Sequence, residues 1–151
     1  MQGNGTRSIG RRTRPGTPAA VLHFHVERER RAIGRFNDAI GRDLQPTVPG
    51  NALCALQIAL DELLTNVVLH AEQATGSIEI EVNCTHASVE ATIRYVAVEF
   101  DPTLWQPDFA AVTIASARIG GHGIQLVRSL MDEFRYAHEN GVNVVTVCKR
   151  W

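Results

Sequence analysis

The sequence predicts an α+β domain, a two-layer sandwich in which a mixed, mostly antiparallel sheet carries its helices on one face. Three observations lead there. The hydrophobic pattern runs strand, helix, helix, strand, strand, a long irregular segment, helix, strand, strand. Alternation of apolar and polar residues in the strand-like runs marks a sheet with one wet face. Asn140-Gly141, between the last two runs, is a strong hairpin signal, because a tight two-residue turn needs positive φ at both positions. Sequential antiparallel strands of this kind bury their dry face under helices packed on that side.

The elements follow in order. Leu22, Phe24 and Val26 alternate with His23 and His25 in the first run, which reads as a half-buried strand with outward-facing histidines. From about Glu27 to Leu44, Ile33, Phe36, Ala39 and Ile40 share one helical face, and Glu27, Arg28, Arg31, Arg35 and Asp38 the other. Pro46 and Pro49-Gly50 close that unit. A second helix spans about Asn51 to Ala71, with Asn51 as N-cap and Leu53, Leu56, Leu60, Leu63, Leu64 and Val67 on its apolar face. Strands over Ser77 to Cys84 and Ser88 to Phe100 are joined at Thr85-His86-Ala87. Asp101 to Ile119, with two prolines and weak patterning, reads as a long mobile segment able to act as a lid. A helix from Ile124 to about Asp132 and strands over Glu133 to His138 and Asn143 to Lys149 complete the domain.

Composition bounds the function. A chain of 151 residues with 44% hydrophobic and 21% charged content suits one soluble domain with a full core. Cys54, Cys84 and Cys148 are too scattered for a disulfide framework or a zinc knuckle and read as reduced thiols in a cytoplasm. No secretory signal and no membrane-spanning run is expected. Residues 1–19 hold four arginines and no acid, a charge of +4 against about −5 for the remainder. This stretch reads as a disordered, solvated tail ahead of a domain over residues 20–151, without the aromatics that would argue for direct nucleic-acid binding.

Two segments carry chemistry. In Asp61-Glu62-Leu63-Leu64-Thr65-Asn66-Val67-Val68-Leu69-His70-Ala71, the residues Glu62, Asn66 and His70 recur every four positions and form one polar stripe on a helix. An amide oxygen is a neutral hard ligand for Mg²⁺, and a carboxylate one turn away can polarise a nucleophile. Alone, the stripe equally suits a core helix with one solvated edge. Gly120-Gly121-His122-Gly123 opens the third helix, where free backbone N–H groups and the positive dipole end attract phosphate.

Taken together and in this order, the two segments resemble the GHKL nucleotide-binding superfamily (the Bergerat fold), and within it the stand-alone anti-sigma-factor serine/threonine kinases. The run from Gly120 to Glu133 is similar to the family's second glycine box and its helix, and Asn143-Val144-Val145-Thr146-Val147 to its last strand. The resemblance covers about Ala20 to Arg150. It implies ATP and Mg²⁺ as cofactors, with Glu62 as the base that deprotonates a partner serine and Asn66 as the Mg²⁺ ligand. It further implies that His70 reaches the phosphates or the lid, and that His122 stands at the lid hinge. Gly121, Gly123 and Ile124 would sit at the phosphates. Its implied partners are a sigma factor and an anti-anti-sigma antagonist protein, with homodimerisation and docking through the first strand and helix, where Arg28, Arg31 and Arg35 lie.

One departure stands out. The family carries D-x-G-x-x-F-D-P between the two boxes, the Asp reading the adenine amino group and the Gly letting the base lie against the backbone. Here the stretch is Tyr95-Val96-Ala97-Val98-Glu99-Phe100-Asp101-Pro102. Read from Phe100-Asp101-Pro102, Val96 is assigned to the acid's place, Ala97 to the glycine's and Tyr95 to that of an optional preceding acid, so Val96 and Ala97 belong to the expected cofactor contacts. Two readings follow: an active kinase that regulates a sigma factor by partner switching, or a non-catalytic module of the same fold with weakened ATP binding.

Overall fold

The computed structural model describes residues 20–106 and 122–151. Within them the order is β1 (Ala20–Val26), α1 (Arg30–Leu44), α2 (Gly50–His70), β2 (Thr75–Cys84), β3 (Ser88–Val96), α3 (Gly123–Leu130), β4 (Glu133–Glu139) and β5 (Val142–Arg150). The strands form one sheet in the order β1-β2-β3-β5-β4, and all four pairings are antiparallel. The α+β class stands, with no parallel pairing among the described strands. Residues 1–19 and 107–121, which include the basic tail, most of the expected lid, and Gly121, lie outside the described residues.

Pleat and register sort the side chains. Leu22 faces Val82 and Phe24 faces Ile80 on the dry side, while His23 faces Glu81 and His25 faces Glu79 on the wet side. The histidines are exposed, as the alternation predicts. Ile78, Ile80, Val82, Val89, Ala91, Ile93, Val145 and Val147 are buried and join α1 and α2 in one core. Every residue expected on the apolar face of α2 is buried. By length and composition alone α2 is apolar enough to cross a bilayer, contrary to the expectation that no such run exists. Its nine buried residues belong to the domain core, which accounts for the hydropathy.

Several boundaries shift for local reasons. Arg28 Nε donates to Gly76 O at 2.8 Å, and an extended Glu29 precedes α1, which starts at Arg30 rather than Glu27. Pro49, with its φ fixed near helical values, takes the cap position of α2. Asn51 lies inside the first turn, its side-chain oxygen accepting from the Ala52 N–H at 2.9 Å. Extended backbone at Met131 ends α3 before Asp132, whose carboxylate accepts the Arg150 N–H at 2.7 Å. Asn140 and Gly141 take φ of 51° and 79°, the tight turn that the dipeptide predicts.

Candidate nucleotide site

Glu62, Asn66 and His70 lie along α2, and α3 packs against that helix. At the crossing the two helices meet at a glycine. A Cβ built on Gly123 would overlap Glu62 Oε2 and come within 3.1 Å of the carboxyl carbon. The Glu62 carboxylate therefore rests on the first residue of α3, where the N–H groups of the opening turn have no partners within the helix. His122 precedes it as an exposed N-cap without a side-chain capping bond. The structure thus brings the two chemical segments together.

Beside this crossing lies a cavity of about 420 Å³, within the usual range for small-molecule sites. Asn66 and His70 line it from α2, Ile124 from α3, Ile93 and Tyr95 from β3, and Val145 from β5. Val98, Glu99, Phe100, Pro102 and Trp105 line it from the segment after β3. Among the sequence-predicted residues, Glu62 and Gly123 adjoin each other, Asn66, His70 and Ile124 line the cavity, and His122 does not line it.

Val96 is not where the sequence reading puts it, and Ala97 keeps the glycine's place without reaching the cavity. Val96 is 45% exposed, Ala97 is buried in the core cluster, and neither lines the cavity. Tyr95, 6% exposed, does. Strand alternation explains it, since Tyr95 follows Ile93 on the dry face while Val96 turns outward. The motif's spacing agrees. With Ala97 at the glycine's place, an acid two positions earlier falls at Tyr95, not Val96. Burial, reinforced by Tyr136, pushes the Tyr95 phenol up to about 12, so it is neutral at physiological pH.

The wall beyond β3 is held by a residue whose role the sequence reading did not isolate. Asn143 is fully buried. Its Nδ2 donates to Ala97 O at 3.3 Å and Val98 O at 3.2 Å. Its Oδ1 accepts the Phe100 N–H at 3.2 Å and the Tyr136 hydroxyl at 2.6 Å. Together with the Val98 N–H bonded to Glu72 O at 2.9 Å, this clamp ends β3 at Val96 instead of Phe100. Asn143 shares the inward face with Val145 and Val147, and a polar residue in that row was the available signal. Arg128 was likewise missed. From α3 its Nη2 donates to Thr103 O and Trp105 O, each at 2.6 Å, and more weakly to Pro102 O at 3.5 Å.

The donor set suits Mg²⁺ held with phosphates. Among the described residues no group of three or more His, Cys, Asp or Glu could hold a metal. Mg²⁺ ordinarily keeps its waters and substrate phosphates and takes only one or two protein oxygens. One amide oxygen near a helix opening without a Cβ fits that habit.

The chain is 29% identical over 96 residues to the serine-protein kinase RsbW of Listeria innocua, covering 60% of this chain and 61% of the relative. It is 30% identical over 94 residues to the serine/threonine-protein kinase BtrW of Bordetella bronchiseptica, covering 61% and 66%. The match thus spans about three-fifths to two-thirds of the length of these curated relatives. In fold, it is similar to a structure of the RsbU and RsbW domains of a Mycobacterium tuberculosis protein, with a TM-score of 0.61, 18% identity, and coverage of 86% of this chain and 32% of that one. Residues 22–149 match the family described as the histidine kinase-like ATPase domain, and the chain belongs to that family.

Proposed function

We propose that the chain is an ATP-dependent serine/threonine protein kinase that regulates a sigma factor by partner switching, acting in the cytoplasm and as a homodimer. The observation that carries the reading is the contact of the Glu62 carboxylate with Gly123, with Asn66 one turn along α2 on the adjoining cavity. The names of the matched relatives support the same activity.

In this reading the phosphates lie at the α2–α3 crossing and the base in the apolar end of the cavity. Asn66 would hold Mg²⁺, which supplies neutralisation of phosphate charge. Glu62 accepts the proton of a serine hydroxyl presented by the partner, and the N–H groups at the start of α3, which have no partners within the helix, steady the transferring phosphoryl group. Such transfer needs mainly positioning and charge compensation, so a short set of groups suffices. His70, exposed at the cavity edge, faces the phosphates. The docking surface is the β1–α1 region. There Arg28 and Arg31 are exposed, and Arg35 is exposed and pairs with Glu29 at 3.0 Å.

Tyr95 favours a second reading, a non-catalytic docking module, because a carboxylate acceptor is replaced by a neutral phenol. Calorimetric titration of Mg·ATP separates the two, using the natural chain and the Tyr95→Asp, Ala97→Gly variant. Micromolar binding by the natural chain is expected of the kinase. Binding only by the variant would favour the docking module, and binding by neither would remove the kinase reading.

A further inference from the structure

We propose that Tyr95 sets the base specificity of this cavity, admitting 6-oxopurine as well as 6-aminopurine nucleotides. The inference rests on the nucleotide reading above and concerns only which base is accepted. Of the described buried residues that line the cavity, Tyr95 alone has a polar side chain, standing among Leu63, Val67, Ile93, Ile124 and Val145. Among the described residues its hydroxyl has no hydrogen-bond partner.

The nearby polar groups are committed or peripheral. Asn143 spends its amide on the Ala97–Phe100 turn and Tyr136. Asp101 Oδ1 accepts from the Thr103 N–H at 2.8 Å and from its hydroxyl at 2.6 Å. The Glu99 side chain is 65% exposed and lies 3.7 Å from His138 Nδ1. At the apolar end the Tyr95 hydroxyl is left to meet the edge of a bound base.

Its chemistry decides what it can read. A carboxylate only accepts, so it favours an exocyclic amino group and opposes a carbonyl. A neutral phenol both accepts and donates, and rotating the O–H lets it face either an amino or an oxo group. Specificity is a difference of affinities, and discrimination vanishes when the repulsive element against the wrong base is absent. High pKa keeps the phenol in this ambivalent form over the whole physiological range.

The test is calorimetry with Mg·ATP and Mg·GTP on the full chain, Tyr95→Phe and Tyr95→Asp, with circular dichroism to confirm folding. We expect the natural chain to bind both nucleotides within about threefold of each other. Tyr95→Phe should weaken both by about fivefold, the loss of one neutral hydrogen bond. Tyr95→Asp should favour ATP by about tenfold or more. A tenfold ATP preference in the natural chain would overturn the proposal, as would unchanged affinities in Tyr95→Phe. So would nucleotide binding confined to Tyr95→Asp. If Tyr95→Asp does not fold, the other two proteins decide. Failure of every nucleotide with every folded protein would instead overturn the nucleotide reading itself.

Discussion

A Cβ on Gly123 would meet the Glu62 carboxylate and displace it. Gly123→Ala should push the Glu62 carboxylate aside and destabilise the fold by less than about 1 kcal/mol, read from the denaturant midpoint. Adding Glu62→Ala should return most of that loss, because the clash partner is gone; simple additivity would show that the two residues do not press on each other. Glu62→Gln keeps the shape and removes the proposed base. Transfer to a partner serine should fall about 100-fold or more, with Mg·ATP affinity within about threefold of the natural chain. Asn143→Ala strips partners from the Tyr136 hydroxyl and the Phe100 N–H. Since a buried group left unpaired costs about 1–3 kcal/mol, unfolding by denaturant should show a loss of about 2–4 kcal/mol.

At the scale of elements, α3 does more than open with a glycine. Arg128 ties it to the Thr103 and Trp105 carbonyls, so the wall carrying Pro102 and Trp105 is fixed to the helix that packs on Glu62. Arg128→Ala should weaken nucleotide binding about tenfold, and Arg128→Lys, which reaches one carbonyl at a time, should recover part of it by calorimetry. The helices and strands were legible because their periods are clean, as in Leu56, Leu60, Leu63 and Val67 on α2 or Ile78, Ile80 and Val82 on β2. The stop of β3 was not, since it is imposed by Asn143, far along the chain. The same distance effect hid Arg128, whose acceptors are backbone carbonyls that no side-chain pattern records. Tyr95 could have been read: alternation from Ile93 and the spacing of the motif both point to it rather than to Val96.

The whole molecule closes through Asp132, which links the end of α3 to the last strand. Its carboxyl is held below the usual range, first by the Arg150 N–H and also by Lys149 and Arg150. A depressed acid stabilises the fold above its unfolded value of about 3.9 and loses that contribution as pH falls through its folded value. Stability should therefore drop below about pH 4, and Asp132→Asn should flatten that drop in urea melts at successive pH values. Steepness unchanged in the variant would assign the acid sensitivity to other carboxylates.

In the proposed kinase, Asn66 and the α2–α3 crossing form one Mg²⁺–phosphate site. Calorimetry of ADP with and without Mg²⁺, on the natural chain and on Asn66→Ala, tests this most directly. We predict micromolar binding that needs Mg²⁺ in the natural chain and is lost about tenfold or more in Asn66→Ala. Equal binding by both proteins, or binding indifferent to Mg²⁺, would contradict it.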